Sequence, residues 1–267
     1  MPELPEIKNR ARELKSVLVG KTLSGVRVIQ PKSLNLPQEE FREAVTGARC
    51  SDIFNHGKWI FVETDKGWIL INLGMGGEIL WTKRDALPEK YRIVFDIEKD
   101  YSLCINFWWF GYVHHVLLDE LHEHKMTAKL GPNADQITQD EFSQLLMGRR
   151  GRIKSFLLNQ KNIAGIGNAY IHDILFMAGL HPNRAINTLN DGETIKLYEA
   201  VRAGLQPSID KRGAFYELDI YGKKGGFTME DIQIGYKEES PCPRCGTAIE
   251  KIKTGSTSSF ICSRCQV

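Results

Sequence analysis

The sequence lacks any apolar run approaching the roughly 20 residues that a membrane-spanning helix needs. It also lacks a secretion signal, since its first residues form a charged amphipathic segment. We therefore expect a cytosolic protein, in the cytosol or nucleoid of a bacterium, with no membrane partner. No internal repeat or low-complexity tract is present, and 42% apolar with 25% charged residues is ordinary globular composition. The 267 residues suffice for two or three domains.

Acidic residues are also missing from one long stretch, because no Asp or Glu lies between Phe142 and His172. The same stretch carries five cations: Arg149, Arg150, Arg152, Lys154 and Lys161. The net charge of +2 says little about partners, but this local excess predicts a positive surface suited to nucleic-acid phosphates. A solvated helix face is the alternative.

Cysteine is scarce until the end of the chain, where four of the six cysteines form two CxxC pairs: Cys242, Cys245, Cys262 and Cys265. The sixteen residues between the pairs suit a β-hairpin that brings four thiolates around one structural Zn²⁺ with no open position for water. Disulfides are the alternative, which a cytosolic setting disfavours. Cys50 and Cys104 lie in apolar strand-like segments and are expected to be inert core residues.

The chain begins Met1-Pro2-Glu3, and removal of Met1 would make Pro2 the amino terminus. A terminal proline is a secondary amine with a pKa of about 7.7–8.0, well below that of lysine, and is a nucleophile for carbonyl carbon. Its aldehyde adduct is a cationic iminium, for which Glu3 could shuttle protons. The alternative is structural: Pro2 starts a helix and Glu3 complements the helix dipole.

The pattern of the chain predicts an α+β multidomain fold. A helix with apolar residues from Ile7 to Leu18 is followed by short strands typical of a β-sandwich, with hairpin turns at 65–67 and 99–100. We expect an N-terminal helix and β-sandwich domain over 1–130, a helical domain over 131–236, and a zinc hairpin over 237–267. Closely spaced glycines around Gly165 and Gly167 place Asn168 at the start of a helix, where backbone N–H groups could bind phosphate or simply be capped.

Six ordered motifs together resemble the formamidopyrimidine-DNA glycosylase and endonuclease VIII family of base-excision repair. They are the opening PELPE, His56–Trp59, Leu73–Gly77, Phe110-Gly111, the Gly165–Tyr170 turn with Ala178–Pro182, and the terminal cysteine hairpin. The resemblance spans the whole chain. It implies an N-terminal helix plus β-sandwich, a helix-two-turn-helix domain and a zinc-finger hairpin, acting on damaged DNA as a monomer with one structural Zn²⁺.

The resemblance also implies roles for individual residues. Pro2 would attack C1′ of the damaged nucleoside, Glu3 would act as general acid and base, and the Schiff base would permit β- and δ-elimination. Lys58 and Asn168 match phosphate-binding residues, and Glu6 matches the second acid of the opening motif. Met75 matches a residue that enters the base stack when a nucleotide is flipped out. Without this resemblance, the sequence would predict that Lys58 is a solvated lysine at a strand end and that Met75 is a loop or core residue.

Two positions depart from the family pattern. Asn106–Gly111 has Trp108-Trp109-Phe110 where purine-excising relatives have Arg-Arg-Phe, so the arginine that pairs with the orphaned base is missing. One of the tryptophans would stack on the opposite base or fill the gap left by flipping, unless both are sandwich core. Thr257 occupies the place of a zinc-hairpin arginine, and the candidates to replace that cation are Lys253, Arg244 and Arg264.

Three functions remain open at this stage. The first is an active bifunctional glycosylase and AP lyase. The second is a lesion- or abasic-site-binding protein with weak or lost excision because of Trp108 and Thr257. The third, a zinc-dependent transcription or RNA-binding factor, leaves the opening motif unexplained.

Overall fold

The computed structural model describes residues 1–267, and contacts divide the chain into two compact units. The first comprises Met1–Lys129 and Lys211–Gly226, and the second comprises Leu130–Asp210 and Phe227–Val267. The boundaries of the three expected domains stay a prediction. The structure adds that Lys211–Gly226, assigned from sequence to the helical domain, groups with the first unit. No helix is long and apolar enough to span a membrane.

The first unit contains two helices and two four-stranded antiparallel sheets. The helices are α1 (Leu4–Leu18) and α2 (Gln38–Val45). One sheet has the order β1-β6-β7-β5, with β1 Leu23–Val28, β6 Ile93–Ile97, β7 Tyr101–Asn106 and β5 Glu78–Lys83. The other has the order β2-β3-β4-β8, with β2 Cys50–His56, β3 Trp59–Thr64, β4 Gly67–Asn72 and β8 Tyr112–Val116.

One hydrophobic core joins α1 to both sheets, which confirms the predicted β-sandwich. The apolar residues of α1 recur at helical spacing and all are buried in that core: Ile7, Ala11, Leu14 and Leu18. Burying a side chain of this size contributes about 1.5–3 kcal/mol, so the stripe fixes the helix on the sheets. Gly20 follows the helix with φ of +83°, a conformation that favours glycine.

The predicted hairpin turns lie where the sequence placed them. Strands β3 and β4 pair from Thr64 with Gly67 onward, and β6 and β7 pair from Ile97 with Tyr101 onward. Every second residue of these strands belongs to the shared core, for example Ile60 and Val62 of β3 and Ile93 and Phe95 of β6. The residues between them are also largely apolar and buried, so it was the short apolar runs flanking polar turns that predicted the hairpins.

The second unit contains four helices and one antiparallel hairpin: α3 Gln139–Leu146, α4 Ile153–Leu158, α5 Ile171–Ala178, α6 Asp191–Asp210, β9 Glu250–Thr254 and β10 Thr257–Ile261. Helices α5 and α6 approach closely at Gly204, where an added Cβ would lie 2.6 Å from a side-chain atom of Ile174. The hairpin packs Phe260 and two of its cysteines against Phe176 of α5.

Candidate active site, DNA-contact loops and zinc centre

Helix α1 begins directly after the predicted nucleophile. Glu3 is the N-cap residue, with an extended backbone, and forms a reciprocal capping box with Glu6. The Glu3 amide donates to Glu6 Oε2 over 2.9 Å. Glu3 therefore has the structural role considered as its alternative, although a capping carboxylate can also take part in chemistry. Pro2 precedes the cap, so the expectation that it starts the helix is wrong, and Leu4 is the first helical residue.

Pro2 is buried when Met1 is present. In that form the Pro2 nitrogen belongs to a peptide bond and is not a nucleophile. The Met1 ammonium group lies 3.8 Å from Glu217 Oε1. Glu6 Oε1 accepts a hydrogen bond of 3.1 Å from the amide of Ala214, so the segment Lys211–Gly226 is held against the start of α1 within the first unit. The sequence analysis missed Glu217, because nothing local marks a glutamate in a linker-like segment as a neighbour of the amino terminus.

Burial raises the pKa of Glu217 to about 7, with further increases from the nearby carboxylates Glu6 and Glu3. The amino-terminal charge and Arg10 act in the opposite direction and only partly offset the burial. A carboxyl group that titrates near neutral pH is suited to accepting and returning protons under physiological conditions.

The raised pKa of Glu217 predicts a pH-dependent stability. The folded chain binds more protons than the unfolded chain between about pH 4.5 and 7, so its stability falls as pH rises through that window and is fully retained below it. The free energy of unfolding of the wild type should decrease between pH 5 and pH 7.5. In Glu217→Gln this decrease should be smaller by on the order of 2 kcal/mol. Urea unfolding at both pH values measures the difference, and Glu43→Gln, a variant at an exposed site, is the control. An equal change in the free energy of unfolding with pH for Glu217→Gln and wild type would contradict the prediction.

Asn72 ties together two loops of the first unit that the resemblance assigned to DNA contact. Its Nδ2 donates to the carbonyl of Lys58 over 3.0 Å, and its Oδ1 accepts from the amide of Gly74 over 3.0 Å. The turn carrying Lys58 and the loop carrying Met75 therefore lie at the same end of one sheet. Lys58 is only 8% exposed, so its interpretation as a solvated strand-end lysine is wrong.

Met75 and the aromatic run after β7 form an exposed apolar ridge, which we define as Met75, Trp108, Trp109 and Phe110. Trp108 is 74% exposed and Trp109 is 78% exposed, so the interpretation of both as sandwich core is wrong. Met75 is an exposed loop residue, so of its two alternatives the loop is correct and the core is wrong. The Trp108 amide donates to the Met75 carbonyl over 3.4 Å, which places the two halves of the ridge side by side. The indole of Trp108 lies over Gly76, where an added Cβ would come within 2.9 Å of the ring.

In the second unit, the glycine-rich turn connects α4 to α5. Gly165 has φ of +111°, and its amide donates to Gln160 Oε1 over 2.9 Å, while Gln160 Nε2 donates to the Ile166 carbonyl. Asn168 is exposed in this turn, three residues before α5. The expectation that Asn168 begins the helix is therefore wrong, because Tyr170 is the N-cap residue.

The predicted positive surface is only partly present. Four of its five cations are exposed: Arg149, Arg150, Arg152 and Lys161. Lys154 is instead 3% exposed, with its ammonium group among four oxygens of the β9–β10 hairpin at 2.8–3.0 Å. These are the hydroxyls of Thr254, Thr257 and Ser259 and the carbonyl of Ser258. Burial lowers the pKa of Lys154 to about 8.

The contact with Lys154 explains the role of Thr257, the residue that replaces the hairpin arginine. The Thr257 hydroxyl binds a lysine from α4, so this position helps to fix the hairpin on the helix. Arg244 cannot readily compensate for the missing arginine, because its guanidinium group donates to the carbonyls of Phe176 and Met177 and stacks on the Phe176 ring. Lys253 and Arg264 are exposed.

The four terminal cysteines form the predicted metal site. Their sulfurs all lie within 4.8 Å of one another, with Cys242 to Cys265 at 3.9 Å and Cys245 to Cys262 at 3.4 Å. A tetrahedral Zn²⁺ about 2.3 Å from each thiolate would separate the sulfurs by about 3.8 Å, so the donor set fits. The site holds one structural zinc ion.

The two remaining cysteines are inert, as predicted. Cys50 and Cys104 are buried in strands of the sandwich, and burial raises their thiol pKa values to about 12 and about 11. Neither thiol forms a thiolate at neutral pH, so neither is a nucleophile or a metal ligand.

Comparison with known protein families identifies three domains along the chain. Three family models match: the formamidopyrimidine-DNA glycosylase N-terminal domain over 1–106, the H2TH domain of the same enzymes over 130–217, and the zinc finger found in FPG and IleRS over 239–267.

Individual relatives match at full length. A formamidopyrimidine-DNA glycosylase of Chloroflexus aggregans is 34% identical over 284 residues, covering 100% of this chain and 99% of that protein. One of Pelotomaculum thermopropionicum is 33% identical with the same coverage. The solved complex of Lactococcus lactis Fpg with DNA containing an abasic site has a TM-score of 0.90 at 26% identity, covering 99% of each chain. On these grounds the chain belongs to the formamidopyrimidine-DNA glycosylase family.

Proposed function

We propose that the protein is a bifunctional DNA glycosylase and AP lyase of base-excision repair, with Pro2 as nucleophile once Met1 is removed. The observation that carries the proposal is the start of α1, where Pro2 immediately precedes the capping glutamate Glu3 and the near-neutral carboxyl group of Glu217 lies beside the amino terminus. Loss of Met1 turns the amide nitrogen of Pro2 into a secondary amine and removes the residue attached to it.

The chemistry follows from that amine. Its lone pair attacks C1′ while the N-glycosidic bond breaks, and the departing base takes a proton from Glu3. The new ammonium then loses its proton to Glu3, which delivers it to O4′, so that the C1′–O4′ bond breaks, the sugar ring opens and the iminium forms. The iminium acidifies C2′, so removal of a C2′ proton expels the 3′-phosphate, and a second elimination expels the 5′-phosphate. Water then hydrolyses the iminium and returns free Pro2. Glu217 is placed to share in these proton transfers.

Other residues hold the substrate in this proposal. Lys58 and Asn168 bind phosphates, and the apolar ridge enters the space that the flipped nucleotide leaves. Glu6 keeps the start of α1 in place through its bonds to Glu3 and Ala214. The zinc ion holds the hairpin in shape and takes no part in bond breaking. The protein acts as a monomer in the bacterial cytosol or nucleoid.

Borohydride trapping tests the function directly. Protein with a free Pro2 terminus should become covalently linked to abasic-site DNA on reduction, because the iminium is reduced to a stable amine. Protein that retains Met1, and the Pro2→Gly variant, should trap at least about a hundredfold more slowly. Mass spectrometry of each sample establishes the terminus. Equal trapping by the sample that retains Met1 would refute Pro2 as the nucleophile.

Trp108 should contribute to lesion binding through stacking. Trp108→Ala is expected to weaken binding to abasic-site DNA by one to two orders of magnitude, since a stacked base contributes about 1–3 kcal/mol. Its melting temperature should stay near that of the wild type, because the side chain is largely exposed. Fluorescence anisotropy and thermal unfolding measure the two effects. Tyr101→Ala, an exposed aromatic at the other end of β7, is the matched control.

The alternative of a lesion-binding protein without excision is not favoured. The relatives that match over their full length carry the name glycosylase, and Pro2, Glu3 and Lys58 are all present in this chain. A transcription or RNA-binding factor would leave these three residues without a role.

A further inference from the structure

The proposed chemistry leaves one base unassigned, namely the group that removes the C2′ proton from the iminium. Three acids lie at the amino terminus. Glu3 already transfers the protons of the departing base and of O4′, and Glu6 accepts hydrogen bonds from the amides of Glu3 and Ala214. The third is Glu217, which is only 9% exposed and has no defined step of its own.

Met1 shows where a sugar bonded to Pro2 would lie. Its carbonyl carbon is bonded to the Pro2 nitrogen in a planar amide, as C1′ is bonded to that nitrogen in a planar iminium. The Met1 Cα then corresponds to C2′, and the Met1 amino nitrogen corresponds to a substituent of C2′. That nitrogen lies 3.8 Å from Glu217 Oε1. In the covalent intermediate, a substituent of C2′ is therefore within reach of the Glu217 carboxylate.

The backbone around Glu217 is fixed on both sides. Its amide donates to the Ala214 carbonyl over 2.9 Å, and its carbonyl accepts from the Gly225 amide over 3.1 Å. The ends of the segment are joined by a hydrogen bond of 2.7 Å from the Gly226 amide to the Lys211 carbonyl. A carboxyl group on such a closed segment is held in position, as a base must be if it is to meet one particular proton.

The surroundings of Glu217 also suit a base. Burial raises its pKa to about 7, and the carboxylates of Glu6 and Glu3 add to that increase, whereas the amino-terminal charge and Arg10 oppose it. A carboxylate with this pKa holds a proton more tightly than an ordinary glutamate, yet a large share of it is ionised at neutral pH. It can therefore take a proton from carbon and release it before the next cycle.

We propose that Glu217 is the base that removes the C2′ proton and thereby starts β-elimination. This inference rests on the proposed function, because it requires the iminium on Pro2. The Glu217 carboxylate takes the proton, the electrons of the C2′–H bond form a C1′–C2′ double bond, and the iminium electron pair moves to the nitrogen. The enamine then returns to an iminium as a C2′–C3′ double bond forms and the C3′–O bond breaks. The 3′-phosphate leaves with that electron pair, and Glu217 releases its proton to water.

Single-turnover reactions on DNA with a preformed abasic site test this assignment, using protein that has a free Pro2 terminus. Borohydride trapping measures formation of the iminium, and gel analysis measures scission on the 3′ side of the site. Glu217→Gln should trap as readily as the wild type, whereas its scission should be slower by a factor of about 10²–10⁴. Removal of the C2′ proton then limits the rate, so deuterium at C2′ should slow scission by the variant further.

Two more variants distinguish a base from a residue that only supports the fold. Glu217→Ala leaves space for a small carboxylate, and added formate should restore part of its scission without changing trapping. Glu13→Gln is the matched control, because Glu13 Oε2 accepts from the Ile220 amide over 3.2 Å and holds the same segment to α1. It should keep the wild-type ratio of scission to trapping.

The possible results separate this assignment from the proposed function. Parallel loss of trapping and scission in Glu217→Gln would overturn the assignment, because the residue would then serve iminium formation or the fold. Scission by that variant that is insensitive to deuterium at C2′ would overturn it as well. Wild-type protein that fails to trap would refute the proposed function itself. Trapping by the wild type, with undiminished scission by Glu217→Gln, would refute the assignment alone.

Discussion

Replacement of Cys262 by serine is expected to unfold the β9–β10 hairpin and abolish tight DNA binding. Cys262 is fully buried in the cluster that joins the hairpin to Phe176, and its thiolate completes the four-sulfur site. Structural zinc sites contribute about 10 kcal/mol or more to the folding of such small elements, which far exceeds what the few apolar contacts of this hairpin provide. Affinity for abasic-site DNA should fall at least a hundredfold.

Three measurements check the zinc prediction. Metal analysis should give one zinc per wild-type chain and none per variant, limited proteolysis should cut the variant within 239–267, and anisotropy should report the loss of DNA binding. Ser256→Ala, at the exposed tip of the same hairpin, should behave as wild type in all three. Wild-type protein without zinc, or a Cys262→Ser variant with undiminished affinity, would contradict the prediction.

Glu3 should produce the second large effect, and two variants can separate its capping role from its chemical role. Glu3→Gln and Glu3→Asp should each lower the rate of base excision by a factor of about 10²–10⁴. Glutamine has no carboxyl proton to transfer, and the carboxyl group of aspartate is one methylene too short to reach the base. Aspartate is a good N-cap residue, so Glu3→Asp should keep the stability of α1. If capping were the only function of Glu3, the aspartate variant would retain excision.

The assay for Glu3 uses single-turnover excision from a panel of oxidised-base duplexes, with DNA affinity and melting temperature measured in parallel. Unchanged affinity with lost excision assigns the effect to chemistry. Loss of affinity and melting temperature in proportion to activity would instead indicate that the variants only disturb the start of the helix.

The sequence was sufficient for features that depend on local patterns. The apolar residues of α1 recur at the helical period, the β3–β4 and β6–β7 hairpins follow from short apolar runs on either side of polar turn residues, and the cysteine spacing specifies a tetrahedral site. Each of these is encoded within a few turns or strands of chain. The fold class and the zinc ion could therefore be predicted and are confirmed.

What the sequence did not disclose depends on contacts between distant segments. Lys154 looked like one more surface cation, but the hydroxyls that surround it lie about a hundred positions further along the chain. Glu217 meets the amino terminus only because Lys211–Gly226 groups with the first unit. Asn72 carries no motif and is identified only by the two loops that its side chain connects. The error at Asn168 came from treating a turn residue as a cap.

The contact between Gly76 and Trp108 links a residue of a motif that matches the family to a residue that departs from the family pattern. Any side chain at position 76 would collide with the indole, and φ of +64° there adds a backbone reason for glycine. Tryptophan at 108 is therefore tolerated only in a background that is already glycine at 76. Replacement of Trp108 by a smaller residue would remove the steric half of that constraint and leave the backbone half. The two positions are therefore expected to act as a coupled pair, in which the cost of a side chain at 76 depends on whether the indole is present at 108.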